Sequence, residues 1–381
     1  MRKETKNLFR FLCFALAFLI IFSAIADLFT PKEDNEWSNF RGFYSEERDS
    51  LDVISIGASV CITSWMPYEA WHSSGITSYA FGRSSLMSFA YKPIIKEALR
   101  YQKPQLLIID VRPLVYTYLE DDNRDEVFST VSLINCLKPY SIERIPLAEK
   151  AYGIYKENIK TSGETGNESL ASMLIDIIRY HGNWIEFNES YIYDRQSDLP
   201  QNYSKGFLEV PQYSNQSLSG NSGVSFSMPV NSRAEAELIE LLDYLNDTGL
   251  NALFVVTPYN ENSDEKAQYN YLSDIIENRG FSFVDFNDFN AEIGIDGGTD
   301  FYDKNHMNVF GAEKYTAYLT EYLLANYSIN TDHDDEVDYA WSSGYGLWAE
   351  KKSALEQKVN AMINSADNPD GGAAAEGDNG E

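Results

Sequence analysis

Apolar positions follow two patterns along this chain, short unbroken runs and helical stripes, and the two alternate from Leu51 to Asn326. Leu51 to Ile56 is an apolar run that ends at Gly57, where a residue without a β-carbon permits a sharp turn. Gly75 to Phe81 is a second run, closed by Gly82. Leu106 to Val111 is apolar except for Asp110, as suits a parallel strand covered on both faces. Ala252 to Val256 and Phe281 to Phe286 complete five expected strands. Pro93 to Tyr101, with Ile94, Ile95, Ala98 and Leu99 on one stripe, reads as a helix, as do Ala234 to Leu245, Tyr269 to Asn278 and Phe310 to Asn326. Strands alternating with helices predict an α/β fold with a doubly wound parallel sheet.

The alternation lapses between Pro113 and Ser232. Helical stretches at Ile142 to Asn158 and Leu170 to Tyr180 give way to a polar region rich in Asn, Ser, Gln, Tyr and Gly up to Ser227. This is too long for a structureless loop in a compact domain. It predicts an insertion at about 113–232 that packs over the rim of the sheet and walls a cleft, or else a peripheral helical cap.

The ends follow neither pattern. Residues 1–10 are basic, with Arg2, Lys3, Lys6 and Arg10, and an uncharged apolar run from Phe11 to Ala26 follows, reaching residue 29 if Asp27 is tolerated. The positive-inside rule places the amino terminus in the cytoplasm and sends the rest across the membrane. A signal anchor at 11–29 is the preferred reading, on a run slightly short of the roughly 20 residues that span a bilayer comfortably. The alternative is a secreted protein cleaved after Ala26, where Ala24-Ile25-Ala26 has the small-x-small form of a signal-peptidase site. Residues 348–364 read as a C-terminal helix, and 365–381 as a disordered acidic tail too poor in apolar residues to offset chain entropy. The body between, 30–347, is one domain.

Composition narrows the class of partner. The net charge of −28 argues against nucleic acid, whose phosphates would be repelled, and suits a solvated surface outside the cell. Cys13 lies in the membrane run, so only Cys61 and Cys136 could pair, and sequence alone cannot show whether they do. His72, His181, His306 and His333 show no ligand spacing, so no metal site and no cofactor is expected.

The candidate chemistry lies at predicted strand ends, where a doubly wound sheet binds its ligands. Asp303-Lys304-Asn305-His306 offers a carboxylate and an imidazole from one loop, the pair that activates a serine in acyl transfer. Ser59, in Gly57-Ala58-Ser59, is the matching nucleophile, although a serine there can simply cap the next helix. Cys61, two residues on, is better read as buried. Trp65, Trp71 and Tyr79 are better read as core than as sugar platforms.

Taken together, the G-x-S turn after the first strand, the glycine after the second and D-x-x-H before the last helix resemble the SGNH/GDSL hydrolase superfamily over most of Leu51 to Asn326. Gly75-Ile76-Thr77-Ser78-Tyr79, Lys205-Gly206-Phe207 and His306-Met307-Asn308 look like membrane-anchored bacterial members linked to cell-surface polymer O-acylation. The resemblance implies a three-layer α/β/α flavodoxin-like fold. It makes Ser59 the nucleophile, His306 the base and Asp303 its orienting acid, with the backbone N–H groups of Ser59 and Gly82 as the oxyanion hole. It also implies a glycan or other ester as substrate and a multispanning membrane acyl-donor protein as partner. The family's G-x-N-D block reads Asp110-Val111-Arg112-Pro113 here. Arg112 could replace the missing asparagine, bind an anionic group, or pair with Asp110 or another carboxylate. Asn260 could aim an amide into the cleft or serve a turn. The function expected is an exported serine esterase or O-acyltransferase. The alternative is a degenerate glycan-binding or scaffold module, while a nucleotide binder lacks its phosphate-cradling loop.

Overall fold

The computed structural model describes residues 3–29, 35–118, 126–162, 168–180, 182, 202–218 and 220–367. After α1 (Lys3–Phe29) and α2 (Asn35–Ser45), the chain forms β1 (Val53–Gly57), α3 (Ser59–Ser64), α4 (Pro67–Ser74), β2 (Ser78–Gly82), α5 (Tyr91–Ala98) and β3 (Leu106–Asp110). The expected insertion holds α6 (Arg112–Tyr116), α7 (Glu126–Cys136), α8 (Arg144–Ser162), α9 (Leu170–Leu174) and α10 (Asp176–Tyr180). Then come α11 (Ser232–Thr248), β4 (Ala252–Val256), α12 (Ser263–Asn278), β5 (Ser282–Asp285), α13 (Asn290–Ile293), α14 (Val309–Asn326) and α15 (Asp335–Asp367).

The five strands form one sheet in the order β2-β1-β3-β4-β5, with every neighbouring pair parallel. The chain moves outward from β1 to β2 and then crosses back to β3. Connections therefore diverge at the β1/β3 boundary, which opens a crevice at the carboxyl ends of those strands. Side chains alternate between two cores, as the period of a strand requires. Val53, Ile108 and Val255 pack with Trp65, Phe286 and Tyr315 on one face. Ile54, Ile109 and Phe254 pack with Phe43, Ile94 and Leu242 on the other. Burial on both faces is why these strands read as unbroken apolar runs.

Local chemistry explains where the pattern misjudged the ends. Gly75 ends α4 in the left-handed region at φ 81°, and β2 starts only at Ser78. Asn262 and Glu265 form a reciprocal cap that starts α12 at Ser263, six residues before its expected start at Tyr269. Leu170 to Tyr180 breaks at Ile175 into two short helices, and the C-terminal helix begins at Asp335 and runs to Asp367. The proposed tail from 368 onward lies outside the described residues, as does His181.

The described helices of the insertion contribute to the main core. Leu114, Val115, Val131, Leu133, Ile134, Leu147 and Ala151 are buried in the larger core. Beyond the helices, the Lys205 carbonyl accepts from Ala80 N–H at 3.0 Å, and the Asn39 amide donates to Ala80 O at 3.1 Å and Gly206 O at 2.8 Å. These bonds cover β2, an edge strand whose unpaired groups would otherwise be open to association. Lys205 itself is buried, bonded to Glu46 at 2.8 Å and lying 4.5 Å over the Trp341 ring. From there the chain crosses to the loop before Asp303, through Ser214 N–H to Phe301 O at 2.9 Å and Gln216 N–H to Gly297 O at 2.8 Å.

Within α1, Thr5–Phe22 is long and apolar enough to cross a membrane, and Leu8, Phe9, Phe11 and Phe14 on it are exposed. Helix α1 runs through Ala26, the site at which cleavage was the alternative.

Candidate active site

The loop after α13 is built to present two side chains. An antiparallel bridge joins Phe301 to Met307, Tyr302 N–H donates to His306 O at 3.1 Å, and Asn308 N–H donates to Asp300 O at 2.8 Å. Asn308 holds the exit: its carbonyl oxygen caps α14 at Phe310 N, while its amide donates to Thr299 O at 2.7 Å. Gly311 completes the closure, because a β-carbon there would lie 2.5 Å from Asp300 O. Inside the loop the Asp303 carboxylate accepts from Asn305 N–H at 2.7 Å and faces His306 Nδ1 with both oxygens at 2.9 Å.

Ser59 approaches from the other side. It is the first residue of α3, and the cap position falls to Ala58 without a side-chain bond, so the Ser59 hydroxyl does not cap the helix. Its Oγ lies 2.6 Å from His306 Nε2. The Ser59-His306-Asp303 series is thus continuous, hydroxyl to imidazole to carboxylate. Burial pushes the Asp303 carboxyl upward, but the hydrogen bond and charge of His306 and the N–H groups of the loop outweigh it and hold the group below the usual carboxylate range.

Glycines let the two sides meet. A β-carbon on Gly57 would lie 2.7 Å from Cys61 Cβ and 2.8 Å from Asp110 Cβ, so α3 and β3 can close around the turn only because Gly57 has none. A β-carbon on Gly82 would lie 2.3 Å from Gly57 O. Gly82 therefore sits against the β1 carbonyl and does not line the cavity at Ser59. From the same connection it is Ser85, with φ 54°, that reaches the cavity wall.

That cavity, of about 120 Å³, is bounded by Ser59, Ser85, Arg112, Tyr116, Asn305 and His306 over a floor of Ala58 and Val60. The Arg112 Cζ lies over the Tyr259 ring, 4.0 Å from its centroid, and Nη1 donates to Asn305 O at 3.3 Å. Its tie to Asp110 is through its backbone N–H, which donates to Oδ1 at 3.1 Å. Among the described residues no carboxylate lies within ion-pairing distance of the guanidinium. Asn260 N–H donates to Lys304 O at 3.1 Å and so ties the β4 end to the loop that carries Asp303 and His306.

Beneath the site lies a buried polar layer. Asp110 is raised to about 7 by burial, against the opposing N–H and charge of Arg112, and its Oδ2 has no hydrogen-bond partner among the described residues. Burial pushes the Cys61 thiol up to about 12, and its Sγ is 3.1 Å from Ser55 Oγ. Cys61 is therefore an unreactive thiol packed behind Ser59. Cys61 and Cys136 are both buried and are not joined in a disulfide. Trp65 and Tyr79 are core residues, and Trp71 packs partly buried against the core. No cluster of metal-ligating side chains occurs among the described residues.

Two residues escaped the sequence reading. The Tyr302 ring stacks on His306 with centroids 5.1 Å apart and planes 2° from parallel, and its hydroxyl stands near Thr63. Thr63 in turn donates to Ser59 O at 2.9 Å. The Tyr302 ring thus lies between the imidazole and the helix turn that carries Ser59. Tyr302 adjoins Asp303 in the chain, but no spacing rule announces a ring stack. The fold and site define an α/β protein with a hydrogen-bonded serine, histidine and aspartate at the carboxyl ends of its strands. In comparison with known proteins, the chain matches no family model and no curated sequence.

Proposed function

We propose that this chain is an exported, membrane-anchored serine esterase or O-acyltransferase of SGNH type, on a three-layer flavodoxin-like fold, that acts on a cell-envelope or secreted glycan. The observation that carries the reading is the continuous series from Ser59 Oγ through His306 to Asp303, at 2.6 and 2.9 Å. In the proposed reaction His306 Nε2 takes the Ser59 proton as Oγ attacks the acyl carbon. The carbonyl π electrons move to oxygen, where the Ser59 N–H and a second donor from the cavity wall stabilise the charge. Collapse expels the alcohol, which takes the proton from His306 and leaves an acyl-serine. Water then gives hydrolysis, and a sugar hydroxyl gives transfer.

The cavity supports a short acyl group, acetyl above all, since about 120 Å³ is far below the roughly 300 Å³ at which drug-sized pockets begin. Transfer from a multispanning membrane acyl-donor protein is favoured over hydrolysis by the resemblance to envelope-acylation proteins and by the apolar helix α1. One observation favours a second reading, a degenerate glycan-binding module: the position of the family's third-block asparagine holds Arg112. Kinetics separate the two. Ser59→Ala and His306→Ala should each lower hydrolysis of 4-nitrophenyl acetate by at least 10³-fold, the scale of lost triad members, with the thermal transition unchanged. Equal rates in wild type and Ser59→Ala would leave the binding module.

A further inference from the structure

We infer that Arg112 forms an anion subsite beside the nucleophile, so that the preferred ester carries a carboxylate or phosphate close to its acyl oxygen. This rests on the esterase reading above and narrows its substrate class.

The cavity wall holds one guanidinium and no carboxylate. A guanidinium that faces a cavity is normally paired, and the half-buried Arg112 makes no ion pair among the described residues. Arg112 has only partial substitutes. Tyr259 offers the face of its ring, and Asn305 a single carbonyl at 3.3 Å to Nη1. The carboxylates nearest in effect are Asp110 and Glu265, which act on it through space, and Asp110 reaches it only at the backbone N–H. Asp110 is also a weak counter-charge, since its raised pKa of about 7 leaves it partly protonated at neutral pH. On the other side of the cavity, Asp303 is engaged by His306 through both oxygens. A guanidinium presents five donors in a planar fork suited to two-point binding of carboxylate or phosphate, and the remaining N–H groups of Arg112 have no acceptor among the described residues.

An oxyanion alone would not meet this need. It exists only in the transition state, whereas the cation stands in the cavity throughout the cycle. A charged substituent on the substrate would compensate it in the ground state as well. The inference also reverses an expectation from whole-molecule charge. At −28 the protein as a whole favours a neutral or cationic acceptor, yet field at contact distance is set by the one residue that lines the wall.

The test uses the full chain in detergent, as wild type, Arg112→Gln and Arg112→Lys, with a matched pair of esters, neutral methyl 2-acetoxybenzoate and anionic 2-acetoxybenzoate. Arg112→Gln should lower kcat/KM tenfold or more for the anionic ester and less than twofold for the neutral one, with partial recovery in Arg112→Lys. Inorganic phosphate should compete with the anionic ester in wild type and not in Arg112→Gln. Equal losses on both esters would overturn the inference and make Arg112 an oxyanion donor, and no loss on either would also overturn it. If wild type turns over neither ester, the esterase reading has failed, and calorimetric titration with phosphate decides the subsite separately. Heat in wild type that disappears in Arg112→Gln supports it, and no heat in wild type overturns it.

Discussion

The Tyr302 ring is the residue whose role can be isolated most cleanly, because its two contacts are separable by substitution. Its face lies on His306 and its hydroxyl stands near Thr63. Tyr302→Phe keeps the stack and removes the hydroxyl, so kcat on a neutral acetate ester should stay within about threefold of wild type. Tyr302→Ala removes the face that fixes the imidazole plane, and kcat should fall by about tenfold or more with KM little changed, as expected for a group that positions catalytic atoms within narrow tolerance. Equal losses in both variants would place the effect in the hydroxyl and not in the stack. Asp110 offers a second test at this scale. Its folded-state pKa of about 7 lies above the ordinary carboxylate value of 3.8. The folded state therefore binds the proton more tightly, and stability present below about pH 4 is lost as pH rises towards 7. Asp110→Asn keeps an acceptor for the Arg112 N–H and removes the titration. Its melting temperature should fall less than that of wild type between pH 5 and pH 8, and parallel curves would refute the assignment.

At the level of elements, the parts legible in the sequence were those fixed by burial on two faces. All five strands were expected in the correct sequence, and the one from Ala252 to Val256 with its observed bounds. Ser59, Asp303 and His306 were legible too, because each lies at a strand or helix end where the topology concentrates ligand-binding groups. Less legible were elements set by capping or by distant contacts. Helices α2, α4 and α7 went unread, since short helices with mixed polarity take their stability from tertiary packing. Phe40 and Phe43 of α2 are fully buried only because they meet Phe81 and Tyr79 of β2. Gly82, expected as an oxyanion donor from its place after β2, also carries a steric constraint that its sequence position did not announce, against Gly57 O. Gly82→Ala would force β1 and β2 apart at the nucleophile turn. It should destabilise the protein by about 1–3 kcal/mol, the usual range for overpacking, in a denaturant titration, and a loss below 0.5 kcal/mol would show that the turn accommodates the methyl group.

For the whole molecule, an apolar N-terminal helix is joined to an acidic body, and the two should be separable in function. Removal of residues 1–29 should leave kcat/KM for a soluble acetate ester within about twofold of the full chain while moving the protein from the membrane to the soluble fraction. In cells the same truncation should reduce the ester content of surface glycans, because tethering raises effective concentration near a membrane-bound donor. Unchanged glycan esters in a strain lacking the protein altogether would count against envelope acylation. The catalytic claim beneath all of this is that Ser59 is a nucleophile activated by His306 across 2.6 Å. Its most direct measurement is intact-mass analysis after incubation with a fluorophosphonate. One adduct per chain is expected, mapped by peptide sequencing to Ser59, absent in Ser59→Ala and formed at least a hundredfold more slowly in His306→Ala. An unmodified wild-type chain, or an adduct on any other residue, would contradict it.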